Sequence, residues 1–226
     1  MVIMKILNRA SKLEKSILCA VLVAVITMTA TNYSVFAQQC SDIRQKVFRL
    51  HILANSDSAV DQALKLKVRD RILEASSTLF TSSGGKAEAE AQAKASLDAI
   101  RSIAQDEVNK EGYDYKVGAE IVNMYFTTRT YSNVTLPAGD YDALRITIGA
   151  AKGHNWWCVL FPPLCLPSAS AQGQQKLDDV LGRNEAGIVT NGKNSVVIKF
   201  KVVEIYESAR NRIASFFSKP KDKKKK

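Results

Sequence analysis

Residues 45–61 read QKVFRLHILANSDSAVD, and this stretch decides the fold class because it holds a strand, a break and a helix start in succession. The apolar side chains that alternate along its first half are Phe48, Leu50, Ile52 and Ala54. A period of two predicts a β-strand in a central or half-covered position of a sheet. Arg49 and His51 share the opposite face of this strand.

A helix is predicted directly after the strand. Asn55-Ser56-Asp57 breaks the alternation, and Ser58-x-x-Asp61 has the spacing of a capping box, so we expect a helix from there to about Phe80. Two apolar stripes run along it, which is typical of a helix that packs against two neighbours. The broad stripe contains Val60, Leu64, Val68, Ile72, Ala75 and Leu79, and the narrow one contains Leu66, Leu73 and Phe80.

The rest of the chain completes an α+β fold. Residues 86–110 are rich in alanine, which favours a second helix that stops at Gly112. A long, mostly apolar run predicts a strand at 115–127, and alternating patterns predict strands at 141–149 and 195–202. Residues 203–217 are expected to form an amphipathic closing helix. The predicted order is an N-terminal strand, two helices, a mostly antiparallel sheet and a C-terminal helix.

The first 37 residues are predicted to be a secretory signal peptide. Basic residues precede the apolar run 17–30, which at 14 residues is short for a membrane span, and Val35-Phe36-Ala37 fits a signal-peptidase site before Gln38. An uncleaved N-terminal anchor is the alternative. We expect a single signalling domain at 38–218 and a disordered Lys-rich tail at 219–226.

The basic charge does not indicate a nucleic-acid-binding protein. The formal net charge of +10 falls to +7 without the signal, and the tail alone carries six Lys and one Asp. The body is therefore close to neutral, at about +2. The tail either contacts an anionic membrane or wall polymer or only keeps the protein soluble.

Export changes the interpretation of the cysteines. Cys40, Cys158 and Cys165 remain after signal removal, and an odd number leaves one thiol outside any intrachain pair. Cys158 and Cys165 flank Pro162-Pro163 and form the expected disulfide, which would stabilise the fold by roughly 2–3 kcal/mol.

The sequence offers no specific catalytic constellation, so we predict no enzyme activity, no metal and no cofactor. The chain has two histidines, His51 and His154, and contains no HExxH, CxxC, GxSxG, P-loop or dinucleotide motif. A Cys158–His154 nucleophile pair is less favoured than a structural role for Cys158. His51 is either a hydrogen-bonded structural residue or a contact residue of variable charge.

The segment 153–165, GHNWWCVLFPPLC, concentrates aromatic side chains. Two consecutive aromatics in extended backbone cannot both face inward, and Gly153 with Pro162-Pro163 favours a shaped loop rather than a strand. Each ring buries ~150–250 Å², so two exposed rings would mark an interaction site. We favour a protein-contact loop anchored by Trp156, Trp157 and Phe161, over a loop tucked on the core or a sugar platform.

Two longer motifs carry a family resemblance. Residues 49–73, RLHILANSDSAVDQALKLKVRDRIL, and 141–165, YDALRITIGAAKGHNWWCVLFPPLC, closely resemble stage II sporulation protein R of endospore-forming bacteria. The first motif matches at Arg49, His51, Asn55, Ser56, Asp57, Asp61, Gln62, Lys65, Lys67, Arg69 and Asp70. The second matches at Gly149, Gly153, His154, Asn155, Trp156, Trp157, Cys158, Phe161, Pro162, Pro163 and Cys165.

The resemblance implies a signal rather than a catalyst. Proteins of this family are made in the forespore and exported into the space between the two sporulation membranes. There they trigger a membrane-embedded aspartic protease of the mother cell, which processes the pro-form of sigma-E. The motif residues are then partner-binding candidates, and those at 49–70 are either contact surface or support for it. The alternative function is an extracytoplasmic hydrolase or a cell-wall-binding module.

Overall fold

The computed structural model describes residues 12–79, 84–131, 134–162 and 179–190, together with residues 200 and 204. The chain divides into two compact units, Met1–Ser41 and Asp42–Lys226. Five helices have defined bounds: α1 Lys12–Lys46, α2 Ala59–Leu79, α3 Lys86–Ala95, α4 Leu97–Lys110 and α5 Arg183–Thr190. Six strands are β1 Phe48–Leu53, β2 Val117–Phe126, β3 Arg129–Tyr131, β4 Val134–Leu136, β5 Gly139–Ile148 and β6 Asn155–Phe161. An α+β fold is confirmed.

The first unit is an apolar helix. Within the described residues, Glu14–Lys46 is the one helical stretch long and apolar enough to cross a membrane. Its large apolar side chains are exposed, for example Leu22 at 60% and Met28 at 72%. The predicted 14-residue apolar run therefore belongs to a longer helix that continues through the predicted cleavage point before Gln38. Both a signal and an anchor are compatible with this helix.

The second unit is built on a four-stranded mixed sheet with strand order β2-β5-β1-β6. Strand β1 lies between β5, its parallel neighbour, and β6, its antiparallel neighbour. Strands β2 and β5 are antiparallel over their whole length. The predicted central position of the first strand is therefore correct, and its buried residues run from Phe48 to Ile52.

Alternation along the strands divides the sheet into two faces. The first face carries Leu50, Ile52, Leu144 and Ile146 and is covered by α2, α3 and α4. Burial of these aliphatic side chains is the main stabilising contribution, at roughly 1.5–3 kcal/mol for each fully buried residue. Helix α2 contributes Leu64, Val68, Ile72 and Leu73 to this core. The predicted broad stripe is wrong at its start, because Val60 is 59% exposed.

The second face of the sheet packs against a smaller cluster. Strands β3 and β4 pair as a hairpin, and Val134 and Leu136 from it meet Phe126 and Tyr141. Ile43 and Val47, which precede β1, complete this cluster together with residues of α5. The hairpin has no counterpart in the sequence prediction, because strands of three residues are too short to show a period.

One helix prediction needs correction, and another is right about the start of the helix but not about its full capping box. The predicted helix over 86–110 is two helices, α3 and α4, with Ser96 between them in non-helical geometry. Helix α2 begins as predicted, because Ser58 Oγ accepts a hydrogen bond from the Asp61 backbone N–H at 3.2 Å. The reciprocal bond of a capping box is absent here, since the Ser58 N–H donates to Ser56 Oγ.

The prediction of a shaped loop at 153–165 is wrong over most of its length. Residues Asn155–Phe161 form strand β6, paired with β1 in a register that joins His51 to Trp157 and Ile52 to Trp156. Successive side chains of a strand point to opposite faces, so each face of the sheet takes one tryptophan. Two adjacent aromatic residues therefore fit on one strand, with one ring on each face of the sheet, and a loop is not needed.

The predicted C-terminal elements mostly lie outside the described residues. This holds for the strand at 195–202 and the closing helix at 203–217, apart from Phe200 and Glu204. Phe200 has helical geometry, which contradicts a strand at that position, and Glu204 is helical as predicted.

Candidate partner-binding site

The first-motif turn at 54–58 is joined to the second-motif loop at 149–154. Asn55 accepts hydrogen bonds from two backbone amides of this loop, at its side-chain oxygen from Ala150 (2.9 Å) and at its carbonyl from Lys152 (3.2 Å). The Gly153 amide donates to the Ala54 carbonyl at 3.0 Å. The sequence-distant motifs therefore form one local structure.

Asp61 anchors this turn to helix α2. Its Oδ2 accepts hydrogen bonds from the Ser56 hydroxyl (2.5 Å) and the Asn55 side-chain amide (2.9 Å). Burial alone would raise the pKa of Asp61, but hydrogen bonds from Ser56, Asn55 and Tyr115 outweigh burial and lower it. A buried, ionised carboxylate with these donors is a fixed structural charge.

Lys65 and Gln62 extend the same network to His154. The Lys65 ammonium is buried and donates to Gln62 Oε1 (2.5 Å) and to the His154 carbonyl (2.9 Å). Gln62 in turn donates to the Ser56 carbonyl at 2.9 Å. Burial lowers the pKa of Lys65, and the nearby charge of Asp57 opposes this shift.

Two glycines permit the close approach of the turn and the loop. Gly149 has φ of +58°, and a Cβ there would lie 2.4 Å from Asn55 Oδ1. At Gly153 a Cβ would lie 2.1 Å from the Ser56 backbone oxygen. Side chains at either position would force the two segments apart.

These contacts show what five of the eleven first-motif residues do in the structure. Asn55, Ser56, Asp61, Gln62 and Lys65 hold the turn and the loop in place, whereas Asp57 and His154 are exposed on its surface. Asp57 Oδ1 accepts hydrogen bonds from the His154 amide (2.5 Å) and pairs with its Nδ1.

Trp156 lies on the helix-covered face and is half-buried against the first core. The Arg69 guanidinium lies 4.5 Å from the centre of its ring and pairs with Asp70 at 2.6 Å. The indole Nε1 is buried and has no hydrogen-bond partner in the described part of the chain. This ring is thus enclosed on one side by α2.

Trp157 lies on the second face and is also half-buried. His51 stacks on it with ring centres 4.1 Å apart and an interplanar angle of 4°. Phe126 meets it edge-on at 4.7 Å, and Arg129 lies 5.8 Å from its ring centre. The His51 Nε2 is 2.7 Å from Asn155 Oδ1, so a neighbouring residue of β6 fixes the imidazole.

The sequence left two roles open for His51, and its surroundings favour that of a hydrogen-bonded structural residue. The side chain is 3% exposed and is hydrogen-bonded and stacked as described. Burial lowers its pKa most, the positive charges of Arg145 and Arg49 lower it further, and the Asn155 hydrogen bond opposes both. The imidazole is therefore held neutral in the folded protein near neutral pH.

Arg49 is a buried cation among aromatic rings on the second face. Its guanidinium carbon lies 4.0 Å from the centre of the Phe126 ring and 4.8 Å from that of Tyr141, and it donates to the Tyr131 hydroxyl. Its Nε and Nη1 have no hydrogen-bond acceptor among the described residues. The ring quadrupoles provide the favourable electrostatics that a carboxylate would supply elsewhere.

The remaining candidates are dispersed. Lys67 is exposed and pairs with Glu111, Phe161 packs partly against the first core, and Pro162 is buried. Cys158 is buried, whereas Pro163 and Cys165 lie outside the described residues, so the disulfide stays a prediction. Within the described ranges no group of three or more His, Cys, Asp or Glu side chains is placed to hold a metal ion.

Sequence reasoning missed the residues that surround Trp157. Arg129 and Arg145 lie outside the quoted aromatic segment. The strand register places Arg145 on the same face as Trp157, and a contact with the Trp157 ring places Arg129 there. The alternation of β5 would have placed Arg145 opposite His51 had the pairing of the two strands been known.

Comparison with known proteins covers the region that contains both motifs. The family model for stage II sporulation protein R (spore_II_R) matches residues 44–171. The chain belongs to this family. A curated relative, stage II sporulation protein R of Bacillus subtilis (strain 168), is 41% identical over 123 residues.

The match to that relative covers 54% of this chain and 55% of the relative, about half the length of each. No solved structure matches. Membership of the stage II sporulation protein R family supports a role in sporulation. The matched range includes the turn–loop network, both tryptophans and the buried Arg49.

Proposed function

We propose that this chain is an exported signalling protein that activates the membrane-embedded aspartic protease of the mother cell, which processes pro-sigma-E, by binding rather than catalysis. Family membership supports a sporulation role, and helix α1 is apolar enough for a signal or an anchor. The protein would then act in the space between the two sporulation membranes.

The observation that carries the proposal is the state of the two tryptophans. Both indoles are half-buried on β6, which pairs with the inner strand β1 of the sheet. The orientation of each ring is therefore fixed, while part of the ring surface stays accessible. Preorganised aromatic side chains lose little conformational entropy on binding and dominate interface energetics.

Activation by binding requires a preference for one state of the protease. A ligand that binds both states equally shifts nothing, and moving an equilibrium from 1:99 to 99:1 needs about 5.5 kcal/mol of differential affinity. Three aromatic or arginine anchors that bind only the active state, each worth about 2 kcal/mol, reach this magnitude. Binding alone is therefore energetically sufficient for a switch.

The direct test mixes the purified protein with the protease in membranes and the pro-form substrate. We expect cleavage with no other forespore product present, and loss of cleavage when Trp156→Ala and Trp157→Ala are combined. Tyr113→Ala is the matched control, because Tyr113 is another half-buried ring that packs on the first core away from β6. Thermal unfolding monitors whether the variants remain folded.

Unchanged cleavage with the folded double variant would refute the anchor role of the tryptophans. Turnover of peptidoglycan or peptides by the protein alone would favour a hydrolase instead. Retention on wall sacculi without the protease would favour a wall-binding module.

A further inference from the structure

The described residues cover only half of the second face of the sheet. The hairpin and α5 bury the end around Phe126, Tyr141 and Val159, whereas no described element covers the other end. This other end, here called the second-face patch, is formed by Glu120, Arg129, Arg145, Asn155 and Trp157. Arg129 and Asn155 are exposed, and Trp157 and Arg145 are half-buried.

The patch has an aromatic centre and a polar rim. Trp157 is supported from below by the stacked His51, which Asn155 holds in place. Arg145 is oriented by two hydrogen bonds to Glu120 Oε1, at 2.6 and 2.9 Å. A fixed aromatic residue with arginines on the same face has the composition of a protein interface.

The charge of this patch is positive. Its charged residues are two arginines, Arg129 and Arg145, and one carboxylate, Glu120, which pairs with Arg145. Arg129 forms no ion pair within the described residues and lies beside the Trp157 ring. Arginine guanidinium groups recognise carboxylates by bidentate hydrogen bonds, so the complementary ligand is acidic.

The opposite face of the sheet, around Trp156, differs in its charges and in how far it is covered. Beside Trp156 the Arg69 guanidinium pairs with Asp70, the Asp57 carboxylate accepts hydrogen bonds from His154, and α2 encloses the ring. Charge complementarity therefore separates two tryptophans that are adjacent in sequence, and it favours the face of Trp157.

We propose that the second-face patch binds a carboxylate-bearing segment on the extracytoplasmic surface of the protease, with an acidic side chain placed between Arg129 and Arg145 and an apolar neighbour packed on Trp157. This inference rests on the proposed function and names the partner chemistry of the same site. Arg129 is the specificity-determining residue, because no described side chain forms an ion pair with it and it lies beside the Trp157 ring.

The test measures the affinity of the full chain for the full-length protease in detergent micelles. Arg129→Glu is expected to weaken binding at least tenfold, which is about 1.4 kcal/mol. Arg129→Lys keeps the charge but not the bidentate geometry of the guanidinium, so it should weaken binding less than Arg129→Glu does. Arg101→Glu is the matched control, since Arg101 is exposed on α4 and pairs with Asp98, and we expect less than a twofold change.

Salt provides an independent readout. Affinity of the wild type should fall as ionic strength rises, and this dependence should be shallower for Arg129→Glu than for Arg101→Glu. Equal losses for Arg129→Glu and Arg101→Glu would overturn the inference. A preference for phosphatidylglycerol over phosphatidylcholine vesicles that Arg129→Glu abolishes, with protease binding unchanged, would assign the patch to a lipid surface instead.

Failure of the patch and failure of the proposed function give different results. Wild-type protein that neither binds nor stimulates the protease contradicts the proposed function. Wild-type protein that stimulates cleavage while Arg129→Glu does so equally well contradicts only the role of the second-face patch.

Discussion

Arg49 and His51 occupy neighbouring inward positions of β1 on a face that is otherwise aromatic and aliphatic. Both are buried, and neither has a carboxylate partner in the described residues. Burial of cations is costly unless the surroundings compensate, and here aromatic rings and one hydrogen bond each do so. The side chains of the two residues differ in charge, because Arg49 stays charged whereas His51 stays neutral near neutral pH.

The lowered pKa of His51 predicts a loss of stability in acid. In the unfolded chain the imidazole binds a proton near its ordinary pKa of about 6.5, but the folded protein resists protonation. The contribution of His51 is therefore present above about pH 6.5 and is lost progressively as the pH falls towards its folded pKa. Urea unfolding at pH 7.5 and 5.5 should show this loss in the wild type and a smaller loss in His51→Gln.

His154→Gln is the matched control, because the chain has only these two histidines and His154 is exposed. The control keeps His51 and should therefore lose more stability in acid than His51→Gln does. A His51→Gln variant with the full acid loss would show that carboxylates, and not this histidine, dominate the effect.

At the residue scale the sequence predicted which residues of β1 face the core better than it predicted the directions of the two tryptophans. Alternation correctly placed Phe48, Leu50 and Ile52 in the core, with Arg49 and His51 on the other face. Alternation also predicted that Trp156 and Trp157 cannot both face inward from a strand. Because Gly153 and the two prolines favour a loop, we predicted a loop instead. Only the pairing of β6 with β1 shows that both faces were available to them.

At the scale of elements, the turn–loop network determines where β6 begins. Asp61 at the start of α2 accepts hydrogen bonds from the turn, and the turn accepts bonds from the loop before β6. Capping-box spacing predicted the helix start correctly. The role of Asp61 was not predictable, because its donors come from a turn whose path depends on the loop around Gly149 and Gly153.

Removal of the Asp61 carboxylate should destabilise the fold. Asp61→Ala leaves the Ser56 hydroxyl and the Asn55 amide without their acceptor, and hydrogen bonds to a buried charge contribute roughly 1.5–3 kcal/mol each. We expect the free energy of unfolding, measured by urea denaturation, to fall by about 3 kcal/mol, the lower end of the sum for two bonds, because the variant also loses the desolvation cost of the buried charge.

Asp70→Ala is the control for Asp61→Ala, since Asp70 is an exposed residue of the same helix paired with Arg69. Surface ion pairs contribute about 0–1 kcal/mol, so this change should be small. Similar losses for the two variants would mean that the turn is not held by Asp61.

The β3–β4 hairpin and the division between α3 and α4 are the elements that sequence patterns did not reveal. Each strand of the hairpin has three residues, and Ser96 interrupts a segment whose alanines favour helix throughout. Both features depend on tertiary contacts, the hairpin through Val134 and Leu136 and the helices through Ala93 and Ile100. Propensity and periodicity carry no information about such contacts.

At the scale of the whole molecule, the boundary between the apolar N-terminal helix and the folded unit lies inside α1. The units meet at Ser41 and Asp42, and Ile43 and Val47 belong to the core of the second unit. Arg44 donates to the Ala138 carbonyl (3.1 Å) and Lys46 to the Leu181 carbonyl (2.9 Å). The last turns of α1 are therefore part of the fold, irrespective of whether the preceding residues act as a signal or an anchor.

Truncation separates these two parts of α1. A chain that starts at Gln38 should unfold cooperatively in urea, because it keeps every buried residue of the second core that precedes β1. A chain that starts at Phe48 loses Ile43 and Val47, each worth roughly 1.5–3 kcal/mol when fully buried. We expect its free energy of unfolding to be lower by about 3–6 kcal/mol, the sum of two such burial terms.

Ile43→Ala combined with Val47→Ala, in the chain that starts at Gln38, shows whether burial rather than chain length causes this loss. The double variant should reproduce most of the destabilisation, because it removes the same apolar area while keeping the bonds of Arg44 and Lys46. If the chains starting at Gln38 and Phe48 unfold at the same urea concentration, the end of α1 contributes nothing to the core. The folded unit would then begin at β1, and a cleavage site anywhere before Phe48 would leave the protein intact.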